Sequence, residues 1–124
     1  MVDSVFLAAR AAVLADLQAR RRASAHAVSA LEDALEQRRW WADQWPGGVV
    51  YVAGLVAQDV QDALFEEVGR WPLCLSCGAD APEHPLYIHP DLGGPDPVWV
   101  CEESGTAVAE LGRLSSPGRA APTA

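Results

Sequence analysis

Lysine and asparagine are absent from the 124 residues, isoleucine occurs once, and all nine Lys/Arg positions are arginine. With alanine, glycine and proline abundant, this bias belongs to the codons of a GC-rich genome, a bacterium's or its phage's, and says little about function. A basic leader followed by an apolar run is missing too. The longest apolar stretch, residues 47–57, falls far short of the roughly 20 residues that span a bilayer. Cysteine is scarce and odd in number, three in all, which argues against a secreted disulfide framework. The expectation is a soluble, cytoplasmic chain that does not contact a membrane. Positive charge is also short: the formal net charge is −8. Residues 1–45 carry six Arg against six acids, residues 46–70 one against four, and residues 71–124 two against seven. A surface that grips a phosphate backbone has to be positive, so nucleic acid is not an expected partner. The run Arg20-Arg21-Arg22 reads as a solvated helix face.

No proline or glycine occurs before Pro46, and alanine, leucine, arginine and glutamate dominate, so residues 3–44 read as helix. Spacings of three and four run through Leu7, Arg10, Leu14, Leu17, Arg21, Ser24, Val28, Leu31, Leu35, Arg38, Ala42 and Trp45, a coiled-coil-like seam with weak places at Arg21 and Ser24. Trp45-Pro46-Gly47-Gly48 ends it. A second, shorter helix is expected over 49–68, with Val52, Val56, Val60 and Leu64 on one face and strand character in its first residues. Asp59, Asp62, Glu66 and Glu67 lack the histidine partners of a carboxylate metal helix and read as solvated. A first helix of roughly 42 residues is about 63 Å long, and a partner of roughly 20 residues covers about 30 Å of it. Either the first helix breaks near residues 20–24, giving three helices, or a second copy covers the remaining seam. With no helix breaker in that stretch, a homodimer is the expectation.

All three cysteines lie in residues 71–114. Cys74-Leu75-Ser76-Cys77-Gly78 is a thiol pair followed by glycine, and Cys101-Glu102-Glu103-Ser104-Gly105 repeats that frame with serine in the fourth position. Two thiolates two residues apart can face one centre, and the glycine accepts the positive φ of the turn. Leu86-Tyr87-Ile88 and Val98-Trp99-Val100 read as arms of a hairpin joined by the turn-rich residues 90–97. Antiparallel pairing places His84 beside Cys101 and leaves His89 near the loop. Serine is a poor metal ligand. Cys74, Cys77, His84 and Cys101 are therefore the candidate ligands of a closed Cys3His site, with His89 as the alternative fourth ligand and His26 as a surface residue. The segment resembles the zinc-ribbon group, with one intact and one degenerate knuckle. The resemblance implies bound Zn2+ and a third strand at residues 105–111, and it implies no activity.

The expected architecture is α+β: a helical hairpin over residues 1–70, a small three-stranded zinc-ribbon-like unit over 71–114, and a disordered tail over 115–124. Trp71 is expected to pack on the hairpin against Trp99. The expected function is a non-enzymatic zinc-binding module that contacts protein partners. Two alternatives stand beside it. One is a zinc enzyme with an open metal position and Glu102 or Glu103 as base. The other is a redox or metal sensor acting through Cys74 and Cys77.

Overall fold

A computed structural model describes residues 2–77, 82–91 and 94–115. Three helices are followed by a three-stranded antiparallel sheet. The helices are α1 (Val2–Ala19), α2 (Ala25–Gln44) and, after a 3-10 turn at Pro46–Tyr51, α3 (Val52–Val68). The strands are β1 (Leu86–His89), β2 (Val98–Cys101) and β3 (Ala107–Glu110), in spatial order β1-β2-β3. The chain is thus α+β with an N-terminal helical part. No helix among the described residues is long and apolar enough to cross a membrane. The tail beyond Ser115 lies outside the described residues.

The helix expected over 3–44 is two helices, and the break falls at the weak places of the seam. The Arg22 amide bonds back to the Leu17 carbonyl at 2.8 Å, and Arg21 takes φ 57°. Ser24 then caps α2, its hydroxyl accepting from the Ala27 amide at 3.1 Å. A serine cap contributes about 1 kcal/mol. Together the left-handed arginine and the cap do what glycine and proline usually do. Folding back also changes which face of the first helix is buried. Phe6, Ala9, Val13 and Leu17 are the interior residues of α1, while Leu7 is 68% exposed. Leu31 and Leu35 of α2 and Val52, Val56, Val60 and Leu64 of α3 complete the helical core. Folding back buries Leu17, Leu31, Leu35 and Ala42 of that seam within one chain, while Leu7 and Trp45 stay exposed.

Charge pairing follows the packing. Arg38 makes a two-pronged bond to Asp59 at 2.7 and 2.9 Å, tying α2 to α3, and Arg10 pairs with Glu32 between α1 and α2. Asp59 is therefore a paired residue where a solvated one was expected.

The sheet packs on the helices through one continuous core. Leu86 and Ile88 point inward from β1 while Tyr87 and His89 face out, as the two-residue strand period requires. Trp99 of β2 is fully buried and meets Trp71 edge to face, ring centroids 5.5 Å apart. The expected contact of these two tryptophans is present.

One polar residue pins this junction. Asp16 of α1 is 0% exposed. Its carboxylate accepts from Trp99 Nε1 at 2.8 Å, from the Gly112 amide at 2.6 Å and from the Leu114 amide at 3.0 Å. Desolvation by burial raises its pKa from the ordinary 3.8, against the lowering effect of these three donors and of Arg20. Gly112 reaches Asp16 because it has no side chain: its φ is 94°, and a Cβ there would sit 3.1 Å from that of Ala12.

Candidate metal centre

The hairpin carries the centre. β1 and β2 pair in the register Leu86↔Cys101, Tyr87↔Val100, Ile88↔Trp99 and His89↔Val98. Two residues upstream of Leu86, His84 is therefore carried past the end of the ladder, next to Cys101. The opposite segment is fixed by backbone: the Cys74 amide donates to the His84 carbonyl at 2.9 Å, and Leu73 bridges to Pro85. Arg20 adds a bond from the helical part, its guanidinium donating to the Leu73 carbonyl at 2.6 Å. The first residue of the arginine run is thus a half-buried strut between the α1–α2 turn and the first knuckle.

Four donor atoms converge here. Sγ of Cys77 lies 3.8 Å from Sγ of Cys74, 3.5 Å from Sγ of Cys101 and 3.6 Å from Nε2 of His84. Cys101 Sγ is 3.3 Å from the same Nε2, and all four donors lie within 4.8 Å of one another. A tetrahedral metal with bonds of about 2.3 Å to sulfur and about 2.0 Å to nitrogen has donor–donor edges of about 3.5–3.8 Å. Four edges of the cluster, 3.3–3.8 Å, lie near that figure. The cluster does not match a disulfide, whose sulfurs stand about 2 Å apart. These four residues can hold a metal ion. His89 is outside the group, exposed at the far end of β1, and His26 is exposed on α2.

The second layer suits the same purpose. His84 is 4% exposed, and its Nδ1 lies 2.8 Å from the Pro82 carbonyl. A proton on Nδ1 donates there and leaves Nε2 as the acceptor aimed at the sulfurs, the arrangement of metal-bound histidines. Each knuckle also gives an amide to sulfur: Ser76 N to Cys74 Sγ at 3.4 Å, and Ser104 N to Cys101 Sγ at 3.3 Å. Ser104, which stands where an intact second knuckle has cysteine, thus serves Cys101. Its hydroxyl accepts from the Thr106 amide at 3.2 Å, and Gly105 turns the chain at φ 73°. Gly78, the glycine of the first knuckle, lies outside the described residues.

Proton affinities spread apart accordingly. Cys101 is lowered to about 5, first by the Ser104 hydroxyl and then by the Ser104 amide, with His84 assisting. His84 is raised to about 9 by its bond to the Pro82 carbonyl and then by Cys101. Cys77 is pushed up to about 12 by its contacts with Cys101 and Cys74. Without a metal, Cys101 and His84 form an ion pair and Cys77 keeps its proton. A metal ion held by all four would require Cys74, Cys77 and Cys101 as thiolates and an unprotonated Nε2 on His84. Glu102 and Glu103, the candidate bases of an enzyme, are both exposed.

Sequence reasoning missed Ser104 and Arg20 as supports of this end of the molecule, and Asp16 as the pin of the helix–sheet junction. Only Asp16 left a signal, an acid directly beside the core residue Leu17 on an otherwise alanine- and leucine-rich helix.

Residues 2–111 match the family described as Domain of unknown function (DUF8819). The chain belongs to this family. No curated protein and no solved structure matches it.

Proposed function

We propose that this DUF8819 chain is a non-enzymatic zinc-binding module whose metal, held by Cys74, Cys77, His84 and Cys101, fixes a small acidic ribbon for contact with a protein partner. The observation that carries the reading is the convergence of four donor atoms within 4.8 Å, with four of their distances between 3.3 and 3.8 Å. Four protein ligands leave no coordination position for a substrate, which supports a structural over a catalytic metal. Zinc, when bound, supplies a fixed crosslink between the first knuckle, the strand entry at His84 and the end of β2. That crosslink matters because the tip has little core of its own: Leu75, Ser76, Cys77 and residues 102–106 are all exposed. The partner reading rests on charge, −5 over residues 71–124, which favours protein over phosphate backbones.

Elemental analysis of protein purified without chelator tests the proposal. One equivalent of zinc per chain is expected, and Cys101→Ser should lose it. Full zinc retention by that variant contradicts the ligand assignment.

A further inference from the structure

On the face of α1 away from α2, a half-open groove of about 600 Å³ runs between the helices and the sheet. Ala8 and Ala12 of α1, Ala53 at the start of α3 and Val5 form its apolar walls, so its width comes from side chains that stop at Cβ or Cγ. The sheet side differs. Glu110 stands opposite Val98 in the β2–β3 register, and the Leu111 amide donates to the Pro97 carbonyl at 3.0 Å. This pairing brings Asp96, adjacent to Pro97, and Glu110 to one rim. Both line the groove, and among the described residues no basic side chain does. Among the described residues neither carboxylate has an ion pair or a side-chain hydrogen bond. Two unpaired carboxylates beside an apolar trough attract one kind of occupant, a hydrocarbon body carrying a positive charge, and repel its anionic counterpart.

We propose that this groove is a binding site for small organic cations, primary amines on a compact hydrocarbon body. The ammonium group sits between Asp96 and Glu110, and the hydrocarbon lies along Ala8, Ala12 and Ala53. The volume falls within the range of small-molecule sites, about 300–1,000 Å³. This reading is independent of the metal centre, none of whose four residues lines the groove.

Hexylamine, hexanol and hexanoate, three probes of one shape and different charge, test it on the full chain by amide chemical-shift titration. Hexylamine is expected to shift amides along the groove and to bind about tenfold tighter than hexanol, the scale of one charge-assisted contact, with hexanoate weakest. Asp96→Asn combined with Glu110→Gln should bring hexylamine to the level of hexanol. Asparagine tolerates the φ of 55° at position 96, so the loop is kept. Ala8→Leu, on an exposed helix position, should fill the floor and remove binding of all three, and a thermal melt checks that both variants fold. Equal binding of amine and alcohol would overturn the proposal and give the groove to an apolar segment. Shifts elsewhere, or no shifts, overturn it as well. A dimer mass by light scattering, with the groove amides protected, would assign the surface to a second copy instead.

Discussion

Where the sheet meets the helices, Asp16 is closed by three protein donors within 3.0 Å. At the far end of the same sheet, three sulfurs and an imidazole nitrogen gather within 4.8 Å of one another, four of the pairs at 3.3–3.8 Å. The first arrangement is complete as protein. The second gathers four metal-ligating donors and can hold a metal ion. Their surroundings differ in the same sense: Asp16 lies among Val13, Leu17, Trp99 and Leu114, all buried, whereas most of the tip faces solvent. One end of this small sheet is thus held by core packing, and the other gathers donors that can hold a metal ion.

The comparison breaks most severely at Asp16. Asp16→Ala strands three donors, each worth about 1–3 kcal/mol when buried and unpaired, and so costs about 3–5 kcal/mol of global stability. Denaturant unfolding should show that loss in zinc-loaded and chelated protein alike. A loss seen only in chelated protein would mean that the metal governs the helical core as well.

At the tip the substitutions grade by their place in the proposed zinc site. His84→Ala removes a ligand and is expected to weaken zinc binding by more than about a hundredfold, Ser104→Ala by about tenfold because its amide still reaches Cys101, and His89→Ala not at all. Competition with a chromophoric chelator measures all three. The opposite ranking of His84 and His89 would contradict the hairpin register.

A smaller effect sharpens the other side of the comparison. Because burial raises the Asp16 pKa above 3.8, the folded chain holds a proton that the unfolded chain has released between pH 3.8 and that raised value. Within this window Asp16 makes the fold less stable as pH rises. Stability of the wild type minus that of Asp16→Asn should therefore decline with increasing pH there, the zinc ligands cancelling in the difference. A flat or rising difference would show that the three donors outweigh desolvation.

The tip was more legible than the helices. Thiol spacing, the turn-rich residues 90–97 and antiparallel pairing were enough to bring His84 to Cys101, because ladder register is set by local chemistry. The α1–α2 break was legible only as an alternative: the seam weakens at Arg21 and Ser24, but an arginine in the left-handed region and a serine cap carry no strong sequence mark when glycine and proline are absent. The buried face of α1 was misread for a related reason. In an alanine-rich helix, Ala9 serves as a core residue as well as Leu7 would, so the stripe through Phe6, Ala9, Val13 and Leu17 competes on equal terms with the one through Leu7 and Leu14. Asp16 left only the faint signal of an acid beside Leu17, because its partners are two backbone amides and an indole from nearly a hundred residues away.

Hydrogen exchange of zinc-loaded and chelated protein tests the division most directly. Chelation should release the amides of Cys74, Cys101 and Gly105, which bond across the tip, while the amides of α2 and α3 keep their protection. Equal loss in helices and tip, or no change at the tip, would contradict the account of a metal-closed tip on a self-sufficient core.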